Sequence, residues 1–326
     1  MKSLTVVLTA ALSAALLASQ PAMGADAYPS KPVRIIVPFG SSSGLDPVAR
    51  TMAESMSNQT GGSFVVENRE GGGGMVGVLA GAGAPADGYT ILMVVHPPFA
   101  AAPFLQKKQP YDPIKDFTPI ARVSVTPLIL IAATTSPFKT FAEMVSFAKQ
   151  NPGKLNYASS GIGTASHLYM EQIKLAMGLN IAFVPYRSTG QQMADTISGQ
   201  VHMSLPSLIG GLPQVQGGKV RLLAIGGASR NAGFPDVPTF ADASGMAGFD
   251  AAVWYGFVGP RGMPEAAVAR INAEMATALN SARVTKVIED GGAQKGHTSP
   301  GEFGALIQSG ALDAQKIIKS LNIELQ

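Results

Sequence analysis

The chain has 326 residues, of which 46% are hydrophobic and 14% are charged, and its formal net charge is +3. At roughly 150 residues per domain, this length predicts two domains that can each bury a core, and the composition excludes a disordered chain. The absence of cysteine excludes a disulfide framework, thiolate metal sites and a lipid anchor on an N-terminal cysteine. Positive residues are scattered rather than gathered in a stripe, so nucleic acid is not an expected partner.

The N-terminus has the layout of a cleavable secretory signal. Lys2 precedes an apolar run from Leu4 to Leu17, and small residues follow as far as Ala27. Because the run is too short for a comfortable membrane span, we expect residues 1–24 to form a signal peptide, with cleavage after Gly24 or Ala27. A buried N-terminal helix is the alternative, but the positive start and the small exit residues favour export of the mature protein.

Apolar strands and amphipathic helices alternate in the first part of the mature chain. The pattern predicts strands over Val33–Phe39, Phe64–Glu67 and Thr90–Val95, and helices over Pro47–Ser57 and Met75–Gly83. This βαβαβ order, with short glycine-rich joints, favours a parallel sheet covered by helices.

The opening arrangement returns later in the chain. After a long apolar run, Thr126–Ala132, and a predicted helix over Phe141–Gln150, a strand over Leu155–Ala158 leads through the small-residue loop 159–164 into a helix over Ser166–Met177. The remaining predicted elements are strands over Ile181–Tyr186, Val201–Leu205, Val220–Ile225 and Ala252–Val258 and helices over Gly190–Ser198, Pro264–Leu279, Arg283–Asp290 and Pro300–Leu321.

The loop after the first strand fits a hydrolase motif. Residues 40–44, Gly-Ser-Ser-Ser-Gly, match the G-x-S-x-G pattern with Ser42 as nucleophile. Such an enzyme needs a histidine base, an acid and an oxyanion donor from an earlier strand-loop, and the first strand of the mature chain has no earlier loop. Asp236 or Asp250 before His297 would give the chain order Ser, Asp, His. A secreted serine hydrolase using Ser42 is therefore kept as the alternative function.

Two other chemistries leave only partial signatures. Residues 72–77, Gly-Gly-Gly-Met-Val-Gly, match G-x-G-x-x-G, but no acid follows about 20 residues later, so a tight turn between strand and helix is the expected role. The histidines, at positions 96, 167, 202 and 297, have no partner three or four residues away. Neither a metal site nor a cofactor is expected.

The two small-residue loops, 40–46 and 159–166, fit an anion site. A helix N-terminus leaves backbone N–H groups unpaired and carries about half a positive charge, so it stabilises a carboxylate without lysine or arginine. Glycine lets the backbone approach a ligand, and serine or threonine adds hydroxyl donors. Either loop alone is more simply an ordinary turn with a helix cap. Because both open successive strand-helix units, we expect them to face each other from two lobes and to clamp an organic anion.

Eight ordered segments carry a resemblance to a known family. In chain order they are YPSKPVRIIVPF (28–39), VENR (66–69), ADGYT (86–90), YDPIKDF (111–117), NPGKLNYAS (151–159), VPY (184–186), PDVPT (235–239) and WYG (254–256). Together they resemble the extracytoplasmic solute receptors of tripartite tricarboxylate transporters, the Bug-type binding proteins, over essentially the whole mature chain.

The resemblance implies an α/β, two-lobed periplasmic-binding-protein (Venus-flytrap) fold with two strand crossovers, type II-like. Residues 28–126 and 249–326 would form lobe 1, and residues 127–248 lobe 2. It also implies a periplasmic monomer that performs no reaction and needs no cofactor. Its ligand would be a small organic carboxylate, delivered to the membrane permease subunits of a tripartite transporter. A ligand-sensing receptor that serves a membrane sensor is a further alternative.

The resemblance also implies ligand contacts in both lobes. The expected contacts in lobe 1 are Phe39, Gly40, Ser41, Ser42, Ser43, Gly44, Leu45, Asp46, His96 and Pro97. The expected contacts in lobe 2 are Ser159, Ser160, Gly161, Ile162, Gly163, Thr164, Ser166, His167, Tyr186, Arg187, Pro206 and Ser207.

Departures from the family pattern suggest the kind of ligand. Pro206-Ser207 stands where relatives often carry an aspartate suited to an amine, which argues against an amino-acid ligand. Arg187 would either pair with a second carboxylate or lie in solvent. Leu45 replaces a hydroxyl residue and adds an apolar wall, while Phe39 and His96 would give the cleft a partly aromatic lining. We therefore expect a mono- or dicarboxylate, with an aromatic acid favoured over an amino acid.

Overall fold

The computed structural model describes residues 28–321, with side chains for residues 28–319. The predicted signal peptide lies outside the described residues. In the described part, every helix falls short of the length or the apolarity that a membrane crossing requires.

Strands and helices alternate along the described chain. The strands are β1 (Val33–Val37), β2 (Phe64–Asn68), β3 (Thr90–His96), β4 (Phe117–Pro127), β5 (Ile129–Ala133), β6 (Leu155–Ser159), β7 (Ile181–Pro185), β8 (Met203–Ser204), β9 (Val220–Ile225), β10 (Ala252–Pro260) and β11 (Gln294–Lys295). The helices are α1 (Leu45–Thr60), α2 (Met75–Ala82), α3 (Pro98–Ala101), α4 (Phe141–Gln150), α5 (Ala165–Met177), α6 (Thr189–Ser198), α7 (Leu208–Gln216), α8 (Phe240–Ser244), α9 (Glu265–Leu279), α10 (Ala282–Asp290) and α11 (Pro300–Leu321). Short 3₁₀ turns occupy Gly72–Gly74 and Ala102–Leu105.

Each lobe is built on one sheet, and the two sheets share a strand order. The first sheet runs β11-β4-β10-β3-β1-β2 and the second runs β7-β6-β8-β5-β9. In the first, β1 pairs in parallel with β2 and β3, and β10 lies antiparallel beside β3. In the second, β6 pairs in parallel with β7 and β8, and β5 lies antiparallel beside β8. This shared order explains why the pattern of a strand, a small-residue loop and a helix occurs twice in the sequence.

The chain passes between the sheets twice. Only Leu128 separates β4 from β5, and the segment 226–251 links β9 to β10. The two passages are joined where they meet, because Leu128 N donates to Ala251 O at 2.9 Å and Gly226 N donates to Leu128 O at 2.7 Å. The predicted two-lobed α/β fold with two crossovers is confirmed, while the lobe boundaries at residues 126/127 and 248/249 stay a prediction.

The central strands β1 and β3 of lobe 1 are mostly apolar because both faces of the sheet are covered there. Ile35 packs in the same buried cluster as Met52 of α1. Its neighbour Ile36 belongs to a second buried cluster, together with Leu92 of β3 and Phe303 of α11. Successive side chains of a strand point to opposite faces, so adjacent apolar residues serve two helical layers. This packing holds the strand ends, and the loops that follow them, in fixed positions.

Several regions differ from the sequence-based expectation. The apolar run Thr126–Ala132 spans the junction of β4 and β5, and the strand predicted over Val201–Leu205 is reduced to the two residues of β8. Helix α7 was not predicted, because Gly210-Gly211 and Pro213 lower its helix propensity. The hydroxyl of Ser207 caps α7 by accepting a hydrogen bond from Gly210 N at 3.3 Å.

Candidate ligand-binding site

A cavity lies between the two lobes, where strands β1, β3, β6 and β8 end. Its lining residues are Phe39, Ser42, Ser43, Gly44, Leu45, Val95, Pro98, Leu128, Ser160, Thr164, Ala165, Ser166, Thr189, Gln192, Met193, Leu205, Pro206, Ser207, Gly210, Val253 and Tyr255. The volume that the centre of a water molecule can reach is about 80 Å³, several times the roughly 10–15 Å³ that one water needs. The cavity can therefore hold a small organic molecule.

Helix N-termini converge on this cavity from both lobes. Leu45, Ala165 and Thr189 are the first residues of α1, α5 and α6, and Ser207 immediately precedes α7. Each N-terminus carries a partial positive charge. Among the described residues that line the cavity there is no Asp, Glu, Lys, Arg or His. An anion bound here would be stabilised by backbone dipoles and hydroxyl groups.

Helix α1 is the one of these four helices whose N-terminus has no side-chain cap. Thr164, Ser188 and Ser207 cap α5, α6 and α7 through their hydroxyl oxygens, whereas Gly44 precedes α1 and no side chain accepts from its N–H groups. Beside it, the Ser43 side chain is buried, with 7% of its surface exposed, and its Oγ has no hydrogen-bond partner among residues 28–319. An unpaired buried hydroxyl costs about 1–3 kcal/mol, so this corner favours a ligand atom that accepts hydrogen bonds.

Asp46 lies in the first turn of α1 but is not among the residues that line the cavity. Its Oδ1 accepts from Asn68 Nδ2 and its Oδ2 from Arg50 Nε, both at 2.8 Å. Asn68 Nδ2 also donates to Phe39 O at 2.9 Å. These bonds tie the loop after β1 to the end of β2, so Asp46 holds the loop in position and its charge is balanced by Arg50.

The second loop, 159–166, is held by its own hydroxyl groups. Ser159 Oγ and Thr164 Oγ1 are 2.5 Å apart, and each lies 2.8 Å from Gly161 O, so one hydroxyl donates to the other and the second donates to Gly161 O. Ser166 Oγ donates to Leu205 O at 2.6 Å, which joins the loop to the segment before α7. Ser160 lines the cavity, and no side chain or backbone group in the described part of the chain bonds its hydroxyl. Ser160 therefore offers the cavity a free hydroxyl donor from lobe 2.

His167 shapes the same loop from behind. Its Nδ1 accepts a hydrogen bond from Gly163 N at 3.2 Å, and its ring packs on Phe183 with the centroids 4.4 Å apart. Burial lowers the pKa of His167 to about 4 because the charged ring is poorly solvated there. The neutral ring is therefore the form that supports the loop.

We expect acid to destabilise the folded protein through this histidine. The folded-state pKa of His167, about 4, lies below its ordinary value of 6.5, so its contribution to stability is complete above pH 6.5 and is lost as the pH falls through 4. The difference corresponds to about 3 kcal/mol in the free energy of unfolding. Urea unfolding of the wild type and of His167→Asn at pH 7, 5.5 and 4 measures it. The variant should lose about 3 kcal/mol less between pH 7 and 4, and equal losses would contradict the buried neutral ring.

The lobes touch on both sides of the cavity. Ser42 Oγ lies 2.9 Å from Thr189 Oγ1. A Cβ atom on Gly44 would overlap Ser207 Oγ and lie 2.8 Å from Tyr255 OH, and one on Gly73 would lie 2.8 Å from Ile162 O. The glycines of the turn Gly72–Gly74 therefore meet the opposite lobe, and small residues are needed where the two lobes come into contact.

The predicted site residues divide into two groups by position. Those that line the cavity are Phe39, Ser42, Ser43, Gly44, Leu45, Ser160, Thr164, Ser166, Pro206 and Ser207. Those that do not are Gly40, Ser41, Asp46, His96, Pro97, Ser159, Gly161, Ile162, Gly163, His167, Tyr186 and Arg187. Both predicted loops thus contribute to one shared hollow.

The expectation that His96 and Pro97 face the cleft needs correction. The ring of His96 stacks on Trp254 with the centroids 5.0 Å apart, and Gly310 of α11 packs against it. Side chains alternate along a strand, so it is Val95, the residue before His96, that lines the cavity. The partly aromatic lining expected from His96 is supplied by Phe39 and Tyr255 instead.

Tyr186 and Arg187 also lie outside the cavity lining. The Tyr186 hydroxyl donates to Asp195 Oδ2 at 2.8 Å, and the Arg187 side chain is exposed. Of the two expectations for Arg187, the structure agrees with a side chain in solvent. The geometry does not support the pairing of Arg187 with a second ligand carboxylate.

Several lining residues were not predicted. Thr189, Gln192 and Met193 lie in the first two turns of α6. The residues Ser188-Thr189-Gly190 follow strand β7 and form a third loop of small residues between a strand and a helix. That pattern could have identified them. Tyr255 carries no such local signal, because its place in the cavity depends on β10 arriving from lobe 2 beside β3.

In the part of the chain that the structure describes, no histidine lies within hydrogen-bond distance of Ser42. Its hydroxyl pairs with Thr189, and the histidines lie elsewhere: His167 accepts from Gly163, His202 Nδ1 lies 2.7 Å from Asn156 Oδ1, and His297 Nε2 lies 3.2 Å from Asn272 O. Within residues 28–321, no group of three His, Asp or Glu side chains is placed to hold a metal ion.

Comparison with known proteins identifies the family. A family model described as the tripartite tricarboxylate transporter family receptor matches residues 48–323. A relative from Pseudomonas sp. strain P51, described as a UPF0065 protein in the tcbD-tcbE intergenic region, is 32% identical over 90% of this chain and 87% of its own length.

Solved structures show the same similarity. The periplasmic binding protein BugD has a TM-score of 0.87 and 32% identity, over 92% of this chain and 100% of that one. A protein of R. palustris with adipate has a TM-score of 0.86 and 31% identity, over 91% and 99% of the two chains. MatC from Rhodopseudomonas palustris with bound malate has a TM-score of 0.83 and 30% identity, over 89% and 100%. The resemblance to the Bug-type proteins is thus confirmed, and the chain belongs to the family of extracytoplasmic solute-binding receptors of tripartite tricarboxylate transporters.

Proposed function

We propose that this protein binds a small organic carboxylate in the cavity between its lobes and delivers it, in the periplasm, to the permease subunits of a tripartite transporter. The observation that carries the proposal is the uncapped N-terminus of α1 beside the buried, unpaired hydroxyl of Ser43. A carboxylate accepts hydrogen bonds from both groups, and the helix dipole favours its charge.

Ligand contacts from both lobes follow from this proposal. Ser43 and α1 would take the carboxylate from one side and Ser160 from the other, with the apolar walls around the ligand skeleton. Residues 28–126 with 249–326 would move as one body and residues 127–248 as the other. Adipate and malate in two similar structures support a carboxylate. The receptors and binding proteins that the chain resembles favour binding over hydrolysis at Ser42.

A thermal-shift series tests the proposal. Each probe acid, namely benzoate, adipate and malate, is compared with its neutral amide and with amino acids. We expect at least one acid to raise the melting temperature by about 4–8 °C at a hundredfold excess over its Kd, because binding then adds about 2.7 kcal/mol to the stability of the folded protein. The amides should have no comparable effect. Equal shifts with the amides would overturn the proposal, and shifts with amino acids alone would overturn the preference for a carboxylate without an amine.

A further inference from the structure

Gln192 carries the one side-chain amide that lines the cavity within the described part of the chain. It is the fourth residue of α6, and 3% of its surface is exposed. Its backbone groups are engaged, since Gln192 N donates to Ser188 O at 3.2 Å and Gln192 O accepts from Thr196 Oγ1 at 2.8 Å. No described residue bonds its side-chain amide. The two donors and the acceptor of this amide therefore have no protein partner, and they keep solvent contact at the cavity wall.

Water can bond this amide while the cavity is open, and a ligand that displaces the water keeps these hydrogen bonds only if it complements the amide. The NH₂ group needs an acceptor and the carbonyl oxygen needs a donor. A ligand hydroxyl supplies both, because its oxygen accepts from the NH₂ group and its hydrogen is donated to the carbonyl. A carboxylate supplies acceptors alone and would face the amide oxygen with a second negative atom. A methyl group supplies neither.

The rest of the cavity accommodates one charge and an apolar skeleton. Its walls are formed largely by apolar side chains, among them Phe39, Leu45, Val95, Leu128 and Leu205. The uncapped end of α1 is suited to one carboxylate, whereas the ends of α5, α6 and α7 are already bonded by Thr164, Ser188 and Ser207. A second buried carboxylate would lack both a cation and an uncapped helix end, which makes its desolvation unfavourable.

We propose that Gln192 determines specificity and selects a hydroxyl-bearing monocarboxylate with an apolar skeleton. This inference rests on the proposed function, because it assigns the carboxylate to Ser43 and α1 and the ligand hydroxyl to the Gln192 amide. It narrows the ligand class from mono- or dicarboxylates to hydroxy acids. Unsubstituted acids and dicarboxylates of the same skeleton are the ligands that it disfavours.

Matched acids measure this selection by titration calorimetry. The four-carbon series is butyrate, succinate and the 2-, 3- and 4-hydroxybutyrates; the aromatic series is benzoate, isophthalate and the three hydroxybenzoates. In at least one series, the best hydroxy isomer should bind roughly 10- to 100-fold more tightly than the parent acid, since the parent leaves the amide unpaired. The dicarboxylate should bind at least about tenfold more weakly than that isomer.

Two variants on α6 assign the effect. Gln192→Leu keeps the volume of the side chain but removes its donors and acceptor, so the preference for the hydroxy acid should fall to within about threefold while the parent acid binds as in the wild type or better. Gln191→Leu changes the exposed neighbour and should keep the preference. Melting temperatures of both variants check folding.

The outcomes separate the two proposals. If no acid of either series binds, the proposed function is overturned and the specificity inference falls with it. If acids bind but the parent acid or the dicarboxylate equals the hydroxy acid, the inference alone fails. It also fails alone if Gln192→Leu keeps the wild-type preference.

Discussion

Replacing Ser43 with aspartate should reduce carboxylate binding by at least about a hundredfold in a protein that still unfolds cooperatively. The new carboxylate would lie at the uncapped N-terminus of α1, where a negative charge is worth about 0.3–1 kcal/mol of stability. It would occupy the position assigned to the ligand anion and repel it. Two like charges about 4 Å apart repel by about 4 kcal/mol at an effective dielectric constant of about 20, which exceeds the roughly 2.8 kcal/mol of a hundredfold change.

A neighbouring serine in the same loop provides the control. Ser41 is exposed, whereas Ser43 is buried, so Ser41→Asp adds the same charge outside the cavity and should bind within about threefold of the wild type. Ser43→Ala, which removes the hydroxyl without adding charge, should weaken binding by roughly 5- to 10-fold. Calorimetric titration with the tightest acid of the thermal-shift series measures all three. Wild-type affinity in Ser43→Asp would show that the ligand lies elsewhere.

Replacing Gly44 with alanine should weaken binding by roughly 10- to 100-fold by keeping the lobes apart. The added Cβ would overlap Ser207 Oγ and approach Tyr255 OH and the backbone N of Gly210. Gly44 has a φ of −65°, so alanine adopts its backbone without strain. The substitution therefore tests contact between the lobes, and overpacking of this kind costs about 1–3 kcal/mol.

The matched control is Gly301→Ala in the first turn of α11, where an added Cβ meets nothing within 4 Å. It should bind as the wild type does. Small-angle scattering adds a second readout, because Gly44→Ala should keep a larger radius of gyration than the wild type at saturating ligand. Equal affinity and equal compaction in the two variants would mean that the lobes need not meet at Gly44 for binding.

The two loops at the cavity could be predicted because their signals are local. An apolar strand, a run of serine and glycine and an amphipathic helix follow one another directly, and they indicate where a strand ends and a helix begins without reference to other parts of the chain. The same logic, applied to Ser188-Thr189-Gly190, would have indicated α6 as a third contributor. The repeated strand-helix order predicted the α/β architecture in the same way, whereas the two-lobed fold with two crossovers was implied by the family resemblance.

The side on which a residue lies could not be predicted with equal success. His96 was expected in the cleft because it ends β3, but its pairing with Trp254 places it on the opposite face from Val95. A shift of one residue along a strand reverses the direction of every side chain. Tyr255 lines the cavity because β10 pairs with β3, which is a long-range contact. Gly210 lines it because it lies in α7, a helix whose residues have low helix propensity. Neither feature can be recognised from the neighbouring sequence.

The most direct measurement is a crystal structure of the complex with the tightest acid of the thermal-shift series. We expect a carboxylate oxygen within about 2.7–3.1 Å of Ser43 Oγ and of a backbone N–H at the start of α1. A carboxylate bound to Arg187 outside the cavity, with Ser43 Oγ and the first turn of α1 not contacted by ligand, would contradict the account.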